Sequence, residues 1–131
     1  MIKKDLSQKL GIIINSKVII FNQPDSLIKT LGDFSPKTRI EKLPLNYYDL
    51  IQIFSLNKAE LLDKLPQIKP CLKKNGFLWI SWPKKNSSIL SDLDKNIVRE
   101  IGLEIGLVDV KVCSIDEIWS SLKFVYRLSD R

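Results

Sequence analysis

A chain of 131 residues, 44% hydrophobic and 27% charged, has the size and composition of one globular domain, and no run of 18 apolar residues is there to span a membrane. It contains no histidine, which excludes Ser-His-Asp and Cys-His nucleophiles and most zinc sites, and leaves acid-base work to Asp, Glu, Lys, Tyr or Cys. The net charge of +6, from 21 basic against 15 acidic side chains, suits a polyanion such as nucleic acid, but lysines scattered in ones and twos read more simply as a solvated surface.

The first residues carry charge with no apolar stretch behind them, so no signal peptide and a cytoplasmic location are expected. Residues 3–10 read as a short amphipathic helix, with Leu6 and Leu10 four apart and Gly11 as its stop. Lys17-Val18-Ile19-Ile20-Phe21-Asn22 is short, β-branched and polar at its ends, the pattern of a strand buried on both faces of a parallel sheet. Gln23 to Ser26 turn the chain, and Asp25 or Ser26 caps a helix that runs to about Leu31 and stops at Gly32. A short strand is expected over 38–42, between Pro36 and Pro44, and a stronger one over 49–54. Asn57 with Glu60 three residues later starts a helix carrying Leu61, Leu62 and Leu65. Pro66 and Pro70 interrupt it, and it runs out near Lys73-Lys74-Asn75-Gly76, where lysines suit the carbonyl end of a helix.

Residues 77–82 (FLWISW) form the strongest strand, stopped by Pro83. After a polar loop, Ser91 with Asp94 opens a helix with the stripe Leu93, Ile97, Val98, Ile101 and Ile105, ended by Gly106. Strands over 108–113 and 123–128 follow, and residues 114–121 leave no room for a crossover helix between them, so this pair is antiparallel. The alternation predicts an α/β doubly wound sheet, mostly parallel, with helices on both faces. Cys71 and Cys113 lie 42 positions apart with no CxxC pair and read as reduced, buried thiols.

The segment Leu72-Lys73-Lys74-Asn75-Gly76-Phe77-Leu78-Trp79-Ile80 resembles the turn and fifth strand of class I S-adenosylmethionine-dependent methyltransferases, and Tyr48-Asp49-Leu50-Ile51 the start of that family's fourth strand. More closely, residues 76–85 (GFLWISWPKK) and 106–127 (GLVDVKVCSIDEIWSSLKFVYR) resemble a small bacterial family, domain of unknown function 3052. The likeness implies one Rossmann-like, methyltransferase-like domain over residues 1–131 and supplies no activity. The departures concern the cofactor. Where such methyltransferases carry an acidic residue and a GxGxG loop, this chain has Asn22-Gln23-Pro24-Asp25-Ser26-Leu27, with no glycine and a proline that lacks an amide donor. Glu41 stands near the position of the ribose-binding acid, where a surface glutamate is the plainer reading. Ser55-Leu56-Asn57 replaces the substrate-side motif of an Asn or Asp, two prolines and an aromatic. S-adenosylmethionine is therefore disfavoured as a cofactor, no catalytic or metal residue is assigned, and the reading leans away from an enzyme.

Ligands of open α/β sheets sit at the carboxyl ends of the strands. That edge is expected to gather Asn22, Gln23 and Asp25, then Ser55 and Asn57, then Trp82, Lys84 and Lys85, and finally Asp116, Trp119 and Lys123. Aromatic surface beside cations suits an anionic ligand with a flat ring, while solvated lysines and core tryptophans are the plain alternative. Asp116 beside Glu117 reads as a turn or cap before it reads as a catalytic pair. The expectation is a non-catalytic domain that binds a small anionic ligand or a protein partner. The alternatives are an enzyme holding S-adenosylmethionine or a nucleotide in an altered pose, and a nucleic-acid-binding module.

Overall fold

A computed structural model describes residues 6–13 and 15–131. Helix α1 spans Leu6–Leu10; residues 3–5 of the expected helix lie outside the described residues. Strand β1 is Val18–Phe21, the β-branched run itself. Helix α2 is Asp25–Leu31 and ends at Gly32, whose φ of 94° a side chain would strain and whose N–H bonds the carbonyl of Ile28. Strand β2 is Tyr48–Phe54. Helix α3 is Lys58–Ile68, capped as expected by Asn57, which accepts the Glu60 N–H at 2.8 Å. Strand β3 is Leu72–Pro83, helix α4 is Lys95–Glu104, and strands β4 (Leu107–Ser114) and β5 (Trp119–Tyr126) close the chain.

The strands form one mixed sheet in the order β1-β2-β3-β5-β4, parallel across the first two pairings and antiparallel across the last two. Alternate residues feed two faces. Ile19, Ile51, Ile53, Leu78, Ile80, Leu122 and Phe124 meet Leu61, Leu65 and Ile68 of α3 and Val98 and Ile101 of α4. On the other face Leu50 and Trp79 meet Leu10 of α1, and Ile20, Phe54 and Trp119 meet Leu27 of α2. Helices thus cover both faces, as the alternation predicts.

Four expectations need correction. The strand over 38–42 is absent; Ile40–Lys42 is a 3-10 turn instead. Prolines bracket this segment, and the outer edge of β1 bonds the neighbouring stretch through the Ile20 N–H and the Phe34 carbonyl, at 2.9 Å, without a ladder. Glu41 is exposed there, 3.6 Å from Arg39. Helix α3 stops before Lys73 and Lys74: after a 3-10 turn over Lys69–Cys71, both lysines belong to β3, and it is Lys69 whose ammonium caps a helix, donating to the Ile105 carbonyl behind α4. The cap of α4 is Asp94, which accepts the Ile97 N–H at 2.9 Å; Ser91 lies a turn too early. Finally, β5 begins at Trp119, so Lys123 sits in mid-strand and not at the strand's start.

Candidate functional site

The turn after β1 is built by side chains. Asn22 adopts a left-handed φ of 58°, tolerable for asparagine, and its Nδ2 donates to the Phe54 carbonyl (3.1 Å) and to Glu60 Oε1 (3.3 Å). Gln23 clamps the far side of α2: its Nε2 donates to the Gly32 carbonyl (2.9 Å) and its Oε1 accepts the Phe34 N–H (3.1 Å). Pro24 precedes α2 with no side-chain cap, and Asp25 stands in the helix's first turn, where a carboxylate suits the dipole. At the end of β2, Ser55 is buried and donates to the Asn57 carbonyl (3.1 Å), while Asn57 holds α3. These five candidates lie together at the strand ends, and the polar groups of Asn22, Gln23, Ser55 and Asn57 are engaged within the fold.

The end of β3 is different. An open cleft of about 410 Å³ lies between it, β4, β5 and the start of α4, lined by Trp82, Lys84, Lys85, Lys95, Asn96 and Ser120 among others. The Lys84 backbone N–H is fixed to the Ile118 carbonyl (2.7 Å), and its ammonium donates to Ser114 Oγ (2.6 Å). Lys85 lies 4.0 Å from Asp94, too exposed for that pair to hold it firmly. Lys95 and Asn96 follow the capping Asp94, in the first turn of α4. Three lysines and one carboxylate, Asp94, thus line one concavity with Trp82 as its apolar wall, and the excess of positive charge attracts small anions.

The remaining candidates separate. Asp116 closes the β4–β5 turn by accepting the N–H groups of Ile118 (2.9 Å) and Trp119 (2.8 Å), the turn-building role of the plainer reading. Trp119 lies on the opposite face from Trp82, edge-on to Phe54 with ring centroids 5.0 Å apart, so the two tryptophans do not form one aromatic surface. Lys123 lies 3.7 Å over the Phe77 ring, back from the edge, opposite Trp79 and beside Lys111. Burial, and then the charge of Lys111, push its pKa below that of an ordinary lysine, against the pull of the ring for the cation.

Sequence reasoning brings the turn that ends at Ser120 to this edge but missed Lys95 and Asn96. Placing the α4 cap at Asp94 would have found them. It also missed Gln52, fully buried in β2, whose Nε2 donates to Ser81 Oγ (2.9 Å) while Ser81 donates to Ser121 Oγ (2.9 Å). Its Oε1 has no partner. A lone polar residue inside the run Leu50-Ile51-Gln52-Ile53-Phe54 was the available signal. Among the described residues no helix is long and apolar enough to cross a membrane, and no group of three or more Cys, Asp or Glu side chains is placed to hold a metal ion.

No protein-family model matches the chain, so the resemblance to domain of unknown function 3052 gains no support from that comparison, and no curated protein sequence matches it. Solved structures do. A methyltransferase dependent on S-adenosylmethionine from Aquifex aeolicus superposes with a TM-score of 0.57 at 17% identity, over 86% of this chain and 70% of that one. The Burkholderia thailandensis 1,6-didemethyltoxoflavin-N1-methyltransferase, bound to 1,6-didemethyltoxoflavin and S-adenosylhomocysteine, superposes with a TM-score of 0.61 at 11% identity, over 91% and 73%. A chain from the complex between the Haloferax volcanii Trm112 methyltransferase activator and a methyltransferase gives 0.63 at 13% identity, over 92% and 86%. These likenesses, with the mixed five-stranded sheet and its flanking helices, show that the chain has a methyltransferase-like, Rossmann-type α/β fold.

Proposed function

We propose that this chain uses a methyltransferase-like fold to bind a small anionic ligand in the cleft beside Trp82, and that it does not transfer methyl groups. The observation that carries this reading is the convergence of Lys84, Lys85 and Lys95 on one open concavity at the carboxyl edge. The turn after β1 supports it from the other side. S-adenosylmethionine needs close backbone approach and free amide donors at such a turn. Here Asn22 spends its side chain on Phe54 and Glu60, Pro24 has no N–H, and residues 22–27 contain no glycine. These residues do not fit the cofactor, and no step is derived through it.

A protein partner is the second reading. One structural neighbour comes from a complex with a methyltransferase activator, and Leu90, 94% exposed, offers apolar surface at the same edge as the cleft.

Titration calorimetry on the full chain tests the first reading. No heat of binding is expected with S-adenosylmethionine or S-adenosylhomocysteine, and micromolar binding of either overturns the reading. Inorganic phosphate and a nucleoside monophosphate serve as anionic probes. Binding of one of them should weaken about tenfold in Lys84→Ala or Lys85→Ala, roughly 1.4 kcal/mol. Failure of both probes to bind, with a stable complex captured through Leu90, favours the partner instead. Retardation of nucleic acid that falls steeply with salt would favour the nucleic-acid reading.

A further inference from the structure

Residues 84–94 leave β3 at the carboxyl edge, cross the sheet ends and return at α4. The first of them is fixed, because the Lys84 N–H is bonded to Ile118. Beyond it the strap satisfies itself: the Ser87 N–H reaches the Lys84 carbonyl (3.0 Å), the Ile89 N–H reaches Ser87 Oγ (3.4 Å), and the Leu93 N–H reaches Ser91 Oγ (3.1 Å). Two exposed side chains tie it to the start of α3. Ser91 Oγ donates to the Leu56 carbonyl (2.6 Å), and Asp92 Oδ1 accepts the Lys58 N–H (2.8 Å). Between these ties and the fixed foot, Ile89 is only half-buried, and it packs on the cluster of Ile20, Leu27, Phe54 and Trp119.

Such a segment differs from the sheet in what opening it costs. Water replaces an exposed hydrogen bond at little loss, whereas the β2–β3 and β3–β5 ladders carry the core. Local opening is therefore expected here before any strand separates. The apolar surface beneath Ile89 is the cluster of Ile20, Leu27, Phe54 and Trp119, in which the Phe54 and Trp119 rings meet edge to face.

We propose that residues 86–92 are a lid, with Ile89 as its plug and the Ser91 and Asp92 ties as its latch, and that lifting it opens the Phe54–Trp119 pair to a flat ring. The reading of the cleft as an anion site enters only in what the lid admits. An anion held at Lys84 and Lys85 would sit at the foot of the strap, across the sheet's edge from those rings.

The three tryptophans make the test direct, because each reports a different place: Trp79 under α1, Trp82 in the cleft and Trp119 under the lid. The full chain, without ligand, is labelled with 5-fluorotryptophan, and fluorine relaxation dispersion is measured. The Trp119 signal is expected to show exchange on the microsecond-to-millisecond scale while the Trp79 signal shows none. Removing the latch with Ser91→Ala and Asp92→Ala should enlarge the open fraction about tenfold, a shift of about 1.4 kcal/mol. Ile89→Ala, which leaves the latch in place, should move the Trp119 signal in the same direction, and an unchanged Trp79 signal shows that each variant is folded. A Trp119 signal without exchange, unmoved by latch or plug variants, overturns the lid. Because no ligand is present, that outcome is distinct from failure of phosphate to bind the cleft.

Discussion

Trp82 and Trp119 stand one register step apart in the β3–β5 ladder and point to opposite faces of the sheet. Trp82 faces Ser120 and belongs to the cluster under α3 and α4, while Trp119 faces Pro83 and packs on Phe54 under α2. Adjacency along the edge therefore carries no energetic coupling through the sheet. Double-mutant cycles read by denaturant unfolding make this measurable. Phe54→Leu with Trp119→Leu should show a coupling of about 0.5–1.5 kcal/mol from the edge-to-face pair. Trp82→Leu with Trp119→Leu should be additive to within about 0.5 kcal/mol. Coupling of the second pair as large as the first would contradict the placement of the two rings.

Gln52 gives a prediction of opposite sign to the usual core substitution. Its amide is fully buried, and the Oε1 atom has no partner, a cost of about 1–3 kcal/mol. Gln52→Met keeps the length of the side chain and removes the orphan oxygen, leaving Ser81 its bond to Ser121. The variant should be as stable as the parent or more stable by about 1 kcal/mol. Ser81→Ala strands the Gln52 amide altogether and should lose about 1–3 kcal/mol. Thermal and urea unfolding of the two variants checks the pair.

The position of the α4 cap can be tested in the same way. Asp94→Ala should cost about 1 kcal/mol, the worth of a side-chain N-cap, and Asn57→Ala a similar amount at α3. Ser91→Ala should leave the helical content measured by circular dichroism unchanged, because Ser91 holds Leu56 and not the helix.

Strands β1 and β2 are legible in the sequence because their apolar runs are short, rich in isoleucine and bounded by polar residues, and the core of β3 because its aromatic and aliphatic run is bracketed by Gly76 and Pro83. Asn57 was legible because the Glu60 three positions on marks a helix start. The α4 start was misplaced because Ser91 and Asp94 are both capping types, and only packing decides which one the helix uses: Leu93 is buried between them in the α3–α4 cluster. The 38–42 segment has a single apolar residue, Ile40, among three charged ones, and it forms no ladder with a neighbouring strand. The geometry of the sheet explains the candidate site. Sequence brought every loop to one edge, but the sheet's pleat sends neighbouring side chains to opposite faces, so Trp82 joined the lysines and Trp119 did not.

Asp49 should make stability depend on pH at the acid end. Its carboxylate accepts the Lys17 N–H at 2.8 Å, which is the main cause of a lowered pKa, and Lys73 lies 3.1 Å away. A carboxyl held below its unfolded value adds stability that is fully present above about pH 4 and is lost as pH falls through the folded value. Both side chains are 38% exposed, so solvent screening keeps the pair's share modest. Asp49→Asn should thus be less stable at neutral pH and should show a shallower loss of stability than the parent as pH falls below about 4. Parallel acid-melting curves for the two proteins measure this directly.

Gly102 offers the sharpest conflict between local preference and packing. It lies within α4, where glycine is about 1 kcal/mol worse than alanine for an exposed helix, so propensity alone favours Gly102→Ala. Packing reverses that sign. A Cβ at this position would come within 2.0 Å of Cε1 of Phe124, a ring with no exposed surface in β5. The ring cannot retreat without displacing the neighbours that bury it between α4 and the sheet. Overpacking of a filled core costs typically about 1–3 kcal/mol, more than the helix gains. Gly102→Ala should therefore unfold at lower denaturant than the parent, and Gly102→Ala with Phe124→Leu should recover part of the loss by vacating the space. If the single variant is more stable than the parent, α4 does not lie on β5 as closely as this contact requires.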